Sequence, residues 1–523
     1  MHKITDYRFD PQAIKKLREK DFGKDWPVVY ILEDGNEMYI GQTTNVSNRF
    51  SEHYKREERR KLTKAHVIYD EEFNISAALD TESLLIEYMA GDNVFQLQNG
   101  NRGLMNHSYY DREKYRAKFE IIWQQLQESG FAHKDLIQIK NSDLYKYSPY
   151  KSLTAEQITI VEDIHFNLTS GMQSTYIVNG EPGTGKSVLA VYLVKYLKEF
   201  DKTKSLDVAI VVPMTSLRKT LKKVFASVKG LKPSMVIGPG EVIGKQYDLL
   251  IVDESHRLRR RINLSGYGPY DKANKYYGLG NEGTQLDWIM SASKSQLLLY
   301  DSNQSVMPGD VRQESIESLK AIQYSLTNQL RVLAGNDYLS FIDDLLSLRS
   351  QVRPDFGNYD LRYFDNLQDM VREIKIQDKK HGLARLVAGY AWTWQTKTPG
   401  AQDYDIELDG LKLKWNSANI DWVNSPNALN EVGCIHTVQG YDLNYVGVII
   451  GPELSYDVKN NKLRVDKDKY MDFNGKRSID SLEELANYVI NIYKTLLARG
   501  IKGTYIHAVD KNLANYLISK IDG

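Results

Sequence analysis

Thr175-Tyr-Ile-Val-Asn-Gly180-Glu-Pro-Gly183-Thr184-Gly185-Lys186-Ser187 runs straight into the amphipathic stretch Val188 to Phe200. An apolar β-type run, a glycine-rich turn closing in Gly-Lys-Ser and a helical pattern follow one another without a break. At Gly180, Gly183 and Gly185 the missing β-carbons let the turn fold its backbone N–H groups inward, where side chains would obstruct a phosphate chain. Thr184 belongs to the same cradle. Lys186 is placed to reach the β- and γ-phosphates, and the Ser187 hydroxyl to ligate Mg²⁺. The stretch predicts a site for a nucleoside triphosphate, with ATP and Mg²⁺ as the expected ligands.

Working outward, β-type runs at 207–212, 248–252 and 296–300 alternate with helical ones, which predicts an α/β fold with a parallel sheet and crossover helices. A second alternating region begins near 326 and runs to the end, with strands expected near 385–394, 445–450 and 504–509. The whole resembles two RecA-like parallel-sheet lobes, with nucleotide expected in the cleft between them. Asp248-Leu-Leu-Ile-Val-Asp253-Glu254 is an apolar strand ending in two carboxylates. Asp253 is assigned to Mg²⁺ through water, and Glu254 to orienting and deprotonating the attacking water. Leu297-Leu-Leu-Tyr-Asp301-Ser-Asn-Gln304 is another strand with a polar end. Gln304 is a candidate γ-phosphate sensor, the alternative being an Asx-turn.

At this point the chain resembles superfamily 1 helicases, in order, over residues 153–510. Leu153-Thr-Ala-Glu-Gln157 is similar to their adenine-reading segment, with Gln157 as the base contact. Val212-Pro-Met-Thr215 resembles the first-lobe strand end that touches the nucleic-acid backbone. Leu326-Thr-Asn-Gln329-Leu-Arg331 resembles the motif whose arginine reaches the γ-phosphate. Ile435-His-Thr-Val-Gln439-Gly440-Tyr-Asp442 is similar to the second-lobe motif coupling phosphate to nucleic acid. Tyr493-Lys-Thr-Leu-Leu-Ala-Arg499-Gly500 resembles the last motif, which makes Arg499 the arginine finger. Phosphoryl transfer needs positive charge on the equatorial oxygens, and arginines from a second lobe make hydrolysis conditional on closure. Asp442 stands where glutamate is usual, and Tyr300 replaces the glycine before Asp301. Val432-Gly-Cys-Ile-His-Thr-Val-Gln-Gly440 and Asp253-Glu-Ser-His-Arg-Leu-Arg259 are closest to a bacterial family related to the helicase-like domain of Schlafen proteins.

The front of the chain reads differently. Val28-Val-Tyr30-Ile-Leu and Met38-Tyr39-Ile-Gly41 flank Asp34-Gly-Asn36, which predicts a β-hairpin. Helical spacing follows at 45–54 and 76–89, and the compact αβ unit is expected to end near Asn106. The two tyrosines, followed by Gln42 to His53 and by Ala78 to Ile86, resemble a GIY-YIG nuclease domain, with Val28 in place of the first glycine. Arg49 and His53, four apart, share a helical face. The resemblance implies Mg²⁺ on Glu82, Arg49 on the scissile phosphate, Tyr30 or Tyr39 with His53 for proton handling, and Asn99 as a late asparagine. A phenol titrates near 10, so Tyr30 acting as a base needs a metal or arginine to lower it. The bland alternatives are cross-strand aromatic packing for the tyrosines and solvated faces for the rest. Lys55 to Lys64 holds six basic and two acidic residues, a candidate DNA-backbone contact.

The remaining bounds agree with this division. At 523 residues two to four domains are expected, here 1–110, a connecting helix and linker over 111–150, 151–325 and 326–523. Formal charge is zero, so any nucleic-acid surface must come from local segregation of charge. A single cysteine, Cys434, excludes an internal disulfide and a cysteine-based zinc site. The start of the chain lacks an apolar leader, and no apolar run reaches the length of a membrane span, so a soluble cytoplasmic protein is expected. Arg257 to Arg261 is a candidate nucleic-acid or nucleotide contact or a plain charged loop. Residues 263–284 are read as a mobile Gly/Tyr-rich insertion and a candidate base-stacking loop. Leu386, Ala388, Tyr390, Trp392 and Trp394 alternate and are read as one strand face, packed in the core, with base stacking as the alternative.

The combined expectation is an ATP-driven nuclease acting on DNA, with RNA as the alternative, and with defence against foreign DNA as the first setting and repair as the second. A nucleic-acid-stimulated ATPase whose front domain only docks a partner is the rival, and a protein partner or second copy is compatible with either.

Overall fold

Asp34-Gly-Asn36 turns the chain because the Asp34 carboxylate accepts the N–H groups of Asn36 and Glu37 at 2.9 and 2.7 Å, while Gly35 takes a φ of +95°. The computed structural model, in which that turn joins the expected hairpin, describes residues 3–100, 109–264, 266–301, 304, 308–349, 352–397, 403–418, 420–438, 440–477, 479 and 481–522. Two compact units are present. One comprises Met1–Met172, Ser187–Ser205 and Leu221–Met235; the other comprises Gln173–Lys186, Leu206–Thr220 and Val236–Gly523.

In the first unit the elements run β1 (Lys3–Arg8), α1 (Pro11–Leu17), β2 (Val28–Glu33), β3 (Glu37–Thr43), α2 (Val46–Lys55), α3 (Glu57–Arg60), β4 (Lys64–Tyr69), α4 (Ile75–Asp92) and β5 (Gln96–Leu97). The sheet order is β1-β4-β2-β3-β5, so β2 is central, and every residue of it is buried. Register puts Tyr30 opposite Gly41 and Leu32 opposite Tyr39. Asn45 and Asn74 cap α2 and α4 by accepting the N–H groups of Asn48 and Ala77. Phe9, Val28, Leu32, Phe50 and Val67 form the core between sheet and helices. The helix expected over 111–128 is α5 (Arg112–Glu128), stopped before Gly130 at φ +78°. The helices α6 (Leu136–Asn141), α7 (Asp143–Lys146) and α8 (Ala155–Thr169) follow. The expected end near Asn106 lies outside the described residues.

The second unit holds two sheets. The first contains β6 (Thr175–Gly180), β7 (Val208–Val211), β8 (Val236–Ile237), β9 (Tyr247–Val252), β10 (Ser293–Tyr300) and β11 (Ile322–Leu326) in the order β11-β6-β10-β9-β7-β8. Every pairing in it is parallel, which explains why its inner strands read as continuous apolar runs. The glycine-rich turn leaves the end of β6 and enters α9 (Lys186–Glu199); α10 (Thr215–Ser227) follows β7. The second sheet contains β12 (Asp360–Tyr363), β13 (Ala384–Ala388), β14 (Ile406–Leu408), β15 (Leu411–Trp415), β16 (Glu431–Cys434), β17 (Leu443–Ile450) and, after the separate antiparallel pair β18 (Leu454–Asp457) and β19 (Lys462–Val465), β20 (Gly500–Ala508). Its order is β12-β20-β17-β13-β16-β15-β14, parallel except at β14–β15.

Two expectations are corrected. The strand read at 385–394 stops at Ala388. Immediately beyond it, a β-carbon at Gly389 would lie 2.3 Å from the Tyr493 hydroxyl, so the backbone turns closely past that buried residue. Tyr390 and Trp394 therefore pack from a loop, with ring centroids 5.8 and 6.0 Å from Trp415. Residues 263–284 carry a helix, Gly268–Tyr276, instead of an open loop. Buried Tyr270 pins it by donating to the carbonyls of Arg259 and Gly283 at 2.9 and 3.1 Å. Composition hid this because glycine and tyrosine here supply tight turns and an anchoring hydroxyl.

The Tyr493 hydroxyl also donates to Glu453, which is 1% exposed and whose carboxyl burial pushes up to about 7. A carboxyl raised above its unfolded value contributes stability below about 4.5 that is lost as pH rises toward 7. Glu453→Gln is expected to flatten that slope, so that the variant gains up to about 3 kcal/mol on wild type between pH 4.5 and 8. Denaturant midpoints measured across that range check it; parallel pH profiles for the two proteins would contradict it.

Candidate catalytic sites

The first site is built on the hairpin. Tyr30 on β2 and Gly41 on β3 are register partners, and a β-carbon at Gly41 would fall 2.3 Å from the Tyr30 hydroxyl. The glycine makes room for the phenol. On α2, one turn apart, Arg49 and His53 both meet that hydroxyl: Arg49 Nε donates to it at 3.4 Å, and His53 Nε2 lies 2.7 Å away. Tyr39 packs edge-on against His53 with centroids 4.9 Å apart. Asn99 is buried and clamps β3, donating to Ile40 O at 2.8 Å and accepting its N–H at 3.0 Å. Glu82, on α4, accepts the Gln42 N–H.

The electrostatics revise one role. Burial, reinforced by Tyr39, pushes the Tyr30 hydroxyl up, and the opposing pull of Arg49 does not overcome it. Tyr30 therefore keeps its proton and donates it to His53, instead of serving as a ready phenolate. Burial first, then the charges of Arg49, Arg59 and Arg56, hold His53 down to about 3, so the imidazole is neutral. With Nε2 accepting, its proton sits on Nδ1, a buried atom with no hydrogen-bond partner among the described residues. Burial raises Glu82 to about 7 against the Gln42 N–H and Arg49. Among the described residues no three His, Cys, Asp or Glu side chains stand together as a metal cage. A divalent ion here would have Glu82 as its carboxylate and fill its shell from phosphate and water, a set that suits Mg²⁺.

Gly41→Ala tests this geometry. The added methyl must displace the Tyr30 ring, and overpacking of this kind costs about 1–3 kcal/mol. A fall in thermal stability with a tenfold or greater loss of any cleavage is expected; wild-type values for both would show that the ring has room to move.

The second site surrounds the glycine-rich turn. Gly183 and Gly185 adopt φ of +88° and +82°, conformations that favour glycine. Buried Thr184 closes the turn by donating to Glu181 O at 2.9 Å. Lys186, 7% exposed, donates to the carbonyls of Gly180 and Glu181 at 2.5 and 3.0 Å and lies 3.5 Å from Asp301 Oδ2. Ser187 is the next residue of α9. Gln304 donates to the same Asp301 oxygen at 2.7 Å, and Arg499 Nη2 donates to Gln304 Oε1 at 3.1 Å. Four residues from three motifs thus stand in one row, with the buried Arg499 also donating to Tyr441 O at 3.3 Å.

Asp253 is fully buried at the end of β9, and Glu254 follows in the left-handed region at φ +52°. Strain of this kind persists where surroundings impose it, and it gathers at functional sites. Burial works to raise Glu254, but the adjacent His256, with Lys186 and Arg499 beyond, holds it below the usual carboxylate range. Glu254 is thus kept ionised. Arg331 Nε lies 2.6 Å from Asp442 Oδ1. Gln329 donates to Pro182 O at 2.7 Å and Leu330 N–H to Gly183 O at 2.9 Å, so the 326–331 segment lies directly on the glycine-rich turn. Gly440, at φ +90°, passes close to Met214 in the Val212–Thr215 segment.

Gln439 lies outside the described residues. Gln157 is buried in the first unit, where its side-chain oxygen accepts the Thr154 N–H at 3.0 Å in a capping box on α8. Two residues near the sites had no assigned role in the sequence, Asp301 and Gln329, and Arg59 was read only as one member of the basic run 55–64. Asp301 was visible as the polar end of an apolar strand. Arg59 was hidden in that charged run, with nothing in the sequence to set it apart from its neighbours.

Residues 173–510, well over half of the chain, match the family described as Schlafen group 3, DNA/RNA helicase domain. The protein described as uncharacterized protein YPL245W of Saccharomyces cerevisiae is 26% identical over 395 residues, covering 66% of this chain and 83% of that protein. Among solved structures, Pif1 helicase from Bacteroides in complex with ADP-AlF3 and single-stranded DNA aligns at 12% identity and a TM-score of 0.30, covering 70% of this chain and 94% of that one. Pif1 helicase from Candida albicans aligns at 11% and 0.29, covering 71% and 99%. Among the described residues no helix is long and apolar enough to cross a membrane. The turn, the Asp-Glu pair and the row ending at Arg499 all fall inside the matched span, and the chain belongs to the Schlafen group 3 DNA/RNA helicase domain family.

Proposed function

We propose that the chain couples two hydrolytic sites on one polynucleotide: an ATPase motor within residues 151–523 and a GIY-YIG-type phosphodiesterase within residues 1–110. The observation that carries the nuclease reading is the meeting of Tyr30, Arg49 and His53 within hydrogen-bonding reach, with Glu82 close enough to act on Tyr30 and to feel the charge of Arg49. In this reading Arg49 binds the scissile phosphate. The attacking water gives its proton to the Tyr30 oxygen as Tyr30 passes its own to His53 Nε2, leaving Tyr30 neutral and His53 protonated. A bound phosphodiester offsets the arginine charges that add to burial in holding His53 down, which makes the imidazole a better acceptor once substrate is present. Mg²⁺ on Glu82 would supply the charge that stabilises the leaving oxygen.

For the motor, Glu254 orients the water, and Lys186, Arg331 and Arg499 carry the positive charge that phosphoryl transfer requires. Ser187 and Asp253 are the proposed holders of Mg²⁺ with ATP. Membership of the helicase-domain family supports nucleic acid as the motor's track. The fusion of a cutter to a motor fits defence against foreign DNA.

The direct test incubates purified protein with labelled single- and double-stranded DNA and RNA, with Mg²⁺, with and without ATP. Metal-dependent cutting of DNA together with polynucleotide-stimulated phosphate release is expected. ATP turnover with every polynucleotide left intact would overturn the nuclease half, and preferential cutting of RNA would replace DNA as its substrate.

A further inference from the structure

Within the basic run 55–64, Lys55, Arg56, Arg60, Lys61 and Lys64 are exposed, while Arg59 turns inward and is half-buried. Its guanidinium carbon sits 3.8 Å above the centre of the Tyr39 ring, a cation–π arrangement. The same ring also packs edge-on against His53, with centroids 4.9 Å apart. Tyr39 thus contacts both a cation and the imidazole that Tyr30 addresses.

Arg59 is itself held. Its Nη1 donates to the side-chain oxygen of Gln98 and its Nη2 to the Gln98 carbonyl at 3.3 Å. The amide nitrogen of Gln98 donates in turn to Glu37 on β3. Glu37 then pairs with Lys229, two residues past the end of α10, at 2.7 Å, and that pairing holds its carboxyl below the usual range. All these residues lie in the first compact unit. By sequence Lys229 lies just beyond α10, the helix that starts at Thr215.

We propose that Arg59 is a positioning residue for the Tyr39 side of the front site, anchored through Gln98 and Glu37 to Lys229. It rests on the nuclease reading of that site. The planar fork is well shaped for this role, because one plane stacks on the phenol while two terminal nitrogens grip a single glutamine. A lysine could stack but could not make the forked contact. The outer pair is more exposed, with side chains 43% and 29% accessible, so its removal should have a small effect.

Two readouts are taken on the full chain. Arg59→Met is expected to lower kcat for cleavage about tenfold or more with KM nearly unchanged, as misplacement of a site residue does, with Arg59→Lys between it and wild type. Nitration of Tyr39 by tetranitromethane, read by peptide mass spectrometry, should rise several-fold in Arg59→Met without any need for activity. Lys229→Met should cost about twofold to threefold in cleavage, and Lys229→Arg should restore it. Wild-type kcat with unchanged Tyr39 nitration in Arg59→Met would overturn the proposal, as would loss of cleavage through KM alone. If no protein, wild type included, cleaves while Tyr39 nitration still rises in Arg59→Met, the positioning role stands and the nuclease reading fails.

Discussion

Replacing Lys186 with alanine is expected to lower ATP turnover about 10²–10³-fold, both alone and with polynucleotide present. The effect is large because the ammonium is the cation embedded in the turn: it is 7% exposed, held by the Gly180 and Glu181 carbonyls and placed beside Asp301. Removing it takes positive charge from where the transferred phosphoryl group becomes most negative. It also leaves Asp301 with Gln304 but without its cation, so the row toward Arg499 loses its first member. Phosphate release measured over a range of ATP concentrations separates lost binding from lost chemistry. Wild-type turnover in this variant would mean that the glycine-rich turn does not hold the triphosphate.

The second large effect falls on Glu82. Glu82→Gln keeps the shape and the oxygen that accepts the Gln42 N–H, yet it removes the charge a divalent ion needs. Metal-dependent cleavage is expected to fall about 10³-fold, while polynucleotide-stimulated phosphate release stays within about twofold. Because burial raises the native carboxyl to about 7, the neutral amide should cost the fold nothing near neutral pH, which separates lost chemistry from unfolding. The same raised carboxyl fixes a pH dependence. Below 7 the proton competes with the metal for one group, so the Mg²⁺ concentration giving half-maximal cleavage should rise as pH falls from 8 to 6. A half-saturation constant independent of pH would remove Glu82 from the metal site.

How much of this was legible in the sequence depended on how local its cause was. The glycine-rich turn, the hairpin and the parallel strands β6, β9, β10 and β17 follow from short-range rules: positive-φ glycines, an Asx-turn and apolar runs. The extent of β13 was misread because what ends it lies far away in the chain, the Tyr493 hydroxyl pressed against Gly389. The helix at Gly268–Tyr276 was missed for a similar reason, since its anchor is a Tyr270 hydroxyl reaching two separate carbonyls. In the front site, the resemblance to GIY-YIG nuclease domains named Tyr30, Arg49 and His53, but proton ownership was not legible, because it follows from burial. Arg59 had no sequence signal of its own, since its inward turn depends on Gln98, thirty-nine residues away.

The most direct measurement follows strand cleavage and phosphate release together, in one reaction on one labelled polynucleotide, for wild type and Glu82→Gln. Both signals from wild type, and phosphate release alone from the variant, are expected. Cleavage by Glu82→Gln at the wild-type rate, or phosphate release that the polynucleotide fails to stimulate in either protein, would contradict a motor and a cutter sharing one chain.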